Sequence, residues 1–376
     1  MRIGVITLFS QYAWDNYGGT LQNYALVNYL NRLGHEAYTI APIHRTTKYL
    51  LYDKFSRFIY HQLGIRLERK GKILKPVYIG VQKERNDSFK EFVRKLVPIK
   101  YYWIKNDTVY KKIEAEYEAF IVGSDQVWNT YFAINADTQN DYLLKFAPPS
   151  KRFSYAASFG TSEVNPEWKN ILKSELKKFK LISVREQAGK EIIQNLTGIS
   201  AEEVIDPTLL LSRDEWETVG QKPGFLNDDE EYLVTYFLGE KTESAVNDIK
   251  NIGESNNLKI YNLFDKENEE IYRLGPGEFL YMIKHAKIVL TDSFHACVFS
   301  FLFERPFLVY DRIDKMAGKE ENMSSRVETF LNKFCLQRKM ASNKNVGTLF
   351  ECDYSEGKSV LETERTKARE FLMKIN

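Results

Sequence analysis

His295 is the residue of this 376-residue sequence best placed to do chemistry. It stands in Thr291-Asp292-Ser293-Phe294-His295-Ala296, where an apolar run over 287–291 meets a helical pattern over 294–303. Imidazole titrates near neutral pH, so such a histidine can hold an anion or move a proton. Ser293 or Asp292 is expected to cap the helix, leaving the amides of Phe294, His295 and Ala296 aimed outward. Free amides at a helix start form an anion site. The alternative is a buried histidine satisfied by backbone.

Four further clusters follow predicted strands or loops, or open helices. Gly123-Ser124-Asp125-Gln126-Val127-Trp128-Asn129 follows a strand over 119–122. Asp125, Gln126 and Asn129 suit sugar hydroxyls, and Trp128 offers a face to a pyranose ring; the bland reading is a capped helix with a core tryptophan. Asn16-Tyr17-Gly18-Gly19 precedes a helix over 20–33 but lacks the spacing of a dinucleotide fingerprint, and no P-loop lysine follows. Arg185, after a strand over 181–184, and Arg326, in Ser324-Ser325-Arg326, offer guanidinium groups to a carboxylate or phosphate. Either could instead serve an ordinary surface or local ion pair. The five histidines (35, 44, 61, 285 and 295) show no close ligand spacing and there is no Asp-x-Asp, so neither metal nor cofactor is expected.

These residues need strands and helices to hold them. A strand over 2–9, the helix over 20–33 ended by Gly34, and a strand over 37–41 make one βαβ unit. Residues 44–112 are basic, aromatic and without clear strands, with helices over 49–63 and 83–96. Strand signals return at 152–157 and 203–205, with a helix over 186–196 between 181–184 and the last of these. A charged, turn-rich stretch over 220–230 reads as a linker. A second alternating series then runs through strands at 232–238, 259–263, 287–291 and 307–310, with helices over 243–252, 276–285 and 294–303.

The fold class is therefore α/β, with two Rossmann-like domains facing across a cleft. The first spans 1–219, including the insertion over about 44–112, and the second 220–355. The last segment, 356–376, carries an amphipathic helix over 359–375 expected to pack back on the first domain.

A net charge of only +2, with no massed basic block, argues against nucleic acid as a partner. Three widely spaced cysteines suggest neither a disulfide framework nor a zinc knot. No apolar run approaches the roughly 18 residues of a membrane span, and the opening residues read as a buried strand rather than a signal peptide. A cytoplasmic protein is expected.

Taken in order along the chain, these clusters resemble the polysaccharide pyruvyl transferase family. The likeness also takes in Leu21-Gln22, Tyr155-Ala156-Ala157-Ser158-Phe159-Gly160, Ser183-Val184-Arg185-Glu186 and Val204-Ile205-Asp206-Pro207-Thr208-Leu209-Leu210. It implies a GT-B-like fold and transfer of pyruvate from phosphoenolpyruvate to two hydroxyls of one sugar, giving a cyclic ketal on a capsule, exopolysaccharide or cell-wall glycan. His295 and Asp125 would then be catalytic. Ser293, Phe294, His295, Arg185, Ser325 and Arg326 would bind the donor, and Asn16, Tyr17, Gly18, Gln126, Trp128 and Asn129 the acceptor. Many relatives carry Arg-x-His where this chain has Ser293-Phe294-His295, so helix amides, Arg185 or Arg326 must stand in for the arginine.

Two rival readings are a metal-independent glycosyltransferase using a nucleotide sugar, and a non-catalytic member that binds glycan or scaffolds its assembly. The basic, aromatic stretch over 48–75 suits either a membrane surface, where a lipid-diphosphate-linked sugar would be the acceptor, or an interdomain helix.

Overall fold

A computed structural model describes residues 1–8, 16–44, 76–131, 136–313 and 325–375. The expected helix over 49–63, the basic stretch over 48–75, Phe9, most of the loop over 10–19, Ser324 and the side chain of Ser325 lie outside the described residues.

Short apolar strands separated by helices can pair only in parallel, because each helix carries the chain back to the starting edge of the sheet. The first unit follows that rule through β1 (Arg2–Ile6), α1 (Tyr17–Arg32), β2 (Glu36–Ile43), α2 (Pro76–Leu96) and β3 (Ile99–Trp103). It continues with α3 (Asp107–Glu116), β4 (Ala119–Gly123), α4 (Ala136–Tyr142) and β5 (Arg152–Tyr155). The five strands form a parallel sheet in the order β3-β2-β1-β4-β5. β4, an interior strand, is buried along its whole length. Next come α5 (Lys169–Leu176), β6 (Ser183–Val184), α6 (Gln187–Thr197) and β7 (Glu202–Glu203). β6 pairs with β7, and single bridges from Leu181 to Phe153 and from Val184 to Ala157 attach the pair to β5.

After α7 (Arg213–Glu217) the turn-rich stretch leads into the second unit. This contains β8 (Tyr232–Tyr236), α8 (Glu243–Ser255), β9 (Lys259–Asn262), α9 (Glu269–Tyr272) and α10 (Pro276–His285). It closes with β10 (Ile288–Thr291), α11 (Phe294–Leu302) and β11 (Phe307–Val309), giving a parallel sheet in the order β11-β10-β8-β9. The chain ends in α12 (Ser325–Lys333) and α13 (Ser355–Met373). Arg365 on α13 donates to the carbonyls of Leu209 and Leu211, at 2.8 and 2.6 Å, and Phe371 packs near Tyr155. The last helix thus rests on the first unit. Two Rossmann-like units facing each other in this way are the GT-B-like arrangement expected.

Two expectations need correction. Residues 44–112 are not strandless, since Ile99–Trp103 is the edge strand β3. Its exposed edge position leaves it without the apolar alternation by which a strand is read. The glycine loop is also not a loop before a helix starting at 20, because α1 begins at Tyr17 and takes both glycines into its first turn. Asn16 caps that turn by accepting from the Gly19 amide at 3.0 Å.

The units are joined around Tyr17. Its ring stacks on Phe279 of α10 at 4.2 Å, and its hydroxyl donates to the Leu274 carbonyl at 2.8 Å. Arg85 of α2, wholly buried, donates to the Tyr17 hydroxyl at 2.9 Å and to the Tyr272 carbonyl at 2.6 Å.

Candidate active site

In parallel sheets, ligands collect where strands end, and here the strand ends of both units converge. His295 lies on the first turn of α11, just beyond β10. Gly18, on the first turn of α1, sits flush against its ring: a Cβ at Gly18 would lie 2.0 Å from His295 Nδ1. Only a residue without a side chain lets the two helix starts approach this closely. His295 Nε2 faces Asp206 Oδ1 at 3.8 Å, too far for a hydrogen bond.

Asp206 is the hub of the site, and no role was read for it from the sequence. It caps the short helical turn Pro207–Leu209 by accepting from the Thr208 amide and hydroxyl at 3.0 and 2.7 Å. Its other oxygen accepts from Ser124 Oγ at 2.9 Å and Arg185 Nη1 at 2.8 Å. Burial alone would raise its carboxyl, but His295, Arg185 and the Thr208 donors outweigh that and hold it below the usual carboxylate range. Asp-Pro is legible in sequence as a capped turn. That its second oxygen meets an arginine from a distant strand is not.

Asp125 follows β4 with φ of +57°, a left-handed conformation that aspartate tolerates better than most residues. Its carboxylate lies 3.8 Å from Arg185 Nη2 and 3.9 Å from Arg326 Nη1. Gln126, with its amide oxygen turned to the guanidinium, accepts from Arg326 Nη1 and Nη2 at 3.2 and 3.3 Å. The side-chain amide of Asn129 lies beside it, 2.7 Å from the Gln126 amide nitrogen in this orientation. Arg185 is sandwiched between the Phe294 ring and Glu186, which accepts from the Ser158 hydroxyl and, at 3.3 Å, from the Gly160 amide. A narrow cavity runs along Arg185, Asp206, Phe294, Arg326 and Lys333.

The cluster carries unspent donors. Arg185 Nη2, Arg326 Nε and His295 Nε2 are buried and have no hydrogen-bond partner among the described residues. Each such group costs about 1–3 kcal/mol while its bond is unmade. Burial, with Arg185 and Arg312 adding to it, pushes the Arg326 guanidinium down to about 10 against the pull of Asp125 and Glu186. Burial likewise lowers the His295 imidazolium, opposed by Asp206 and Asp125 and assisted by Arg185 and Arg326, so the empty site holds a neutral ring. The first-turn amides of Phe294, His295 and Ala296 have no partner within their own helix.

The other site residues fall into three groups. Ser293 is the N-cap of α11 but its side chain makes no cap bond; Asp292 does not cap either. Its carboxylate accepts from the Leu238 and Gly239 amides at 2.8 Å each, which fastens the turn after β8. The expectation of a capping side chain there is corrected. Phe294 covers Arg185 as described, while Asn16 is committed to its own helix. Tyr17 and Trp128 belong to the packing: Trp128 lies against Phe159 and Phe179 and donates to the Tyr142 carbonyl at 3.1 Å. Both rings are buried, so they support the site from behind rather than presenting a face to a sugar.

Fold and cluster together define a two-unit α/β protein with a buried cluster of arginines, carboxylates and a histidine between its halves. The chain belongs to the polysaccharide pyruvyl transferase family, whose profile matches residues 16–314. No curated protein matches it in sequence. Among solved structures it is similar to the UDP-GlcNAc 2-epimerase of Neisseria meningitidis, at 9% identity and a TM-score of 0.44 over 100% of both chains. The corresponding Methanocaldococcus jannaschii enzyme aligns at 11% identity and a TM-score of 0.44, over 98% of this chain and 100% of that one. The E. coli heptosyltransferase WaaC aligns at 10% and 0.36, over 88% and 99%. No helix among the described residues is long and apolar enough to cross a membrane.

Proposed function

We propose that this chain transfers pyruvate from phosphoenolpyruvate to two hydroxyls of one sugar, forming a cyclic ketal on a glycan under assembly. The observation that carries this reading is the trio of unpartnered buried nitrogens on Arg185, Arg326 and His295, drawn from both units. Phosphoenolpyruvate has a carboxylate and a phosphate, and clustered donors in a water-poor site are what such an anion needs. Arg185 and Arg326 take the place of the arginine absent at Ser293, with the α11 amides beside them.

Asp125 is the base. It removes a proton from the first sugar hydroxyl, whose oxygen bonds to C2 of the donor as C3 takes up a proton and becomes methyl. His295 binds the donor phosphate and, once protonated, is the acid for C3. Phosphate then leaves C2, and the second hydroxyl oxygen bonds to the same carbon, its proton departing with the phosphate. One enol phosphate and one diol thus become one ketal and one inorganic phosphate.

The acceptor in this reading is a lipid-diphosphate-linked sugar, and the protein works on the cytoplasmic side of the membrane. The test is to incubate the chain with phosphoenolpyruvate and a panel of lipid-linked sugars. Phosphate release with an acceptor mass gain of about 70 Da, the increment of covalent pyruvate ketal transfer, is expected. Transfer from a nucleotide sugar with release of nucleoside diphosphate would overturn the reading, as would an acceptor of unchanged mass throughout.

A further inference from the structure

A second polar cluster stands at the strand ends of the first sheet, apart from the residues around His295. His44 follows β2 directly, Tyr110 lies on α3 and Asp141 on α4. His44 Nε2 meets Asp141 Oδ2 at 2.6 Å, and the Tyr110 hydroxyl donates to Asp141 Oδ1 at 2.6 Å. The Asp141 side chain is only 5% exposed, so both its oxygens are spent on these donors. Asp141 engages Nε2, so Nδ1 of His44 is the ring nitrogen left to meet a ligand. That atom has no partner among the described residues.

The three side chains line a cavity of about 400 Å³, within the range of small-ligand pockets. Asn106 and Asn140 add amides to its wall, and Tyr110 stacks on Phe146 at 5.1 Å to give an aromatic surface. Three carboxylates (Asp107, Asp137 and Asp141) are balanced by Lys105, Lys145 and the carboxylate-paired His44, so the wall favours neither an anion nor a cation. No group of three metal-ligating side chains occurs among the described residues. What remains is a neutral ligand with hydroxyls that both donate and accept, which is a sugar.

We propose that this cavity is a second carbohydrate subsite, which holds a unit of the acceptor glycan away from the reacting hydroxyls. It rests on the acceptor being a glycan. Trp128 ties the subsite to the site: its indole bonds to the carbonyl of Tyr142, next to Asp141, while its backbone continues the Asp125-Gln126 turn.

Saturation-transfer NMR on the full chain with methyl glycosides of glucose, galactose, mannose and N-acetylglucosamine tests it. At least one glycoside should bind, and Asp141→Asn, Tyr110→Phe and Asn140→Trp should each weaken that binding by about tenfold. Asn140→Trp fills the cavity from its half-exposed rim and leaves the His44–Asp141 pair in place. Calorimetric phosphoenolpyruvate binding should be unchanged in all three, which also shows that they fold. Failure of any glycoside to bind, or equal binding by all variants, overturns the subsite. Loss of donor binding in the unaltered chain with glycoside binding retained would instead count against the donor reading.

Discussion

His295 is neutral in the empty site because burial lowers its pKa from the ordinary value near 6.5. A phosphate dianion arriving beside it favours the protonated ring. At pH 8, above the second phosphate pKa of about 6, the donor itself has no proton to lose. Phosphoenolpyruvate binding should therefore take up a proton, seen as a dependence of binding heat on buffer ionisation enthalpy. His295→Asn should abolish the uptake and weaken binding; uptake unchanged in that variant would remove His295 from the phosphate. At this scale the sequence was a good guide to the residues and a poor one to their partners. His295, Arg185 and Asp125, read from scattered strand ends, and Arg326, read from beyond a loop, do come together. Tyr17 and Trp128 do not join them, because an aromatic ring beside a polar motif serves packing as readily as binding, and only the fold decides which.

The elements were legible where apolar periodicity is strong, as in β1, β4, β10 and α11, which are buried on nearly every face. They were not legible where a strand lies at an edge or where glycines open a helix. Arg85 shows a further limit: a charged residue midway along α2 reads as a solvated face, yet it is fully buried against Tyr17 and Tyr272. It fastens α2 to both units through the Tyr17 hydroxyl and the Tyr272 carbonyl. Arg85→Ala should lower unfolding free energy by about 2–4 kcal/mol, from lost packing and from buried acceptors left unmade. A urea midpoint within error of the parent's would show that the unit junction does not depend on this arginine.

At the scale of the molecule, the cluster of Arg185, Arg326 and His295 is built by both halves, so a donor bound there would be bound to the folded chain alone. Saturating phosphoenolpyruvate at 100 times its Kd should stabilise the chain by about 2.7 kcal/mol and raise Tm accordingly. Arg326 is the informative variant. Its guanidinium is pressed down to about 10 by burial and by Arg185 and Arg312, which means that the empty site is strained by its charge. Arg326→Met should leave the unliganded Tm equal to or above that of the parent while removing the rise caused by the donor. A large fall in the unliganded Tm would assign Arg326 to structure instead.

The contact between Gly18 and the His295 ring decides which ring nitrogen can meet a ligand. With Nδ1 closed over by the first turn of α1, Nε2, which has no hydrogen-bond partner among the described residues, is the atom left to face one.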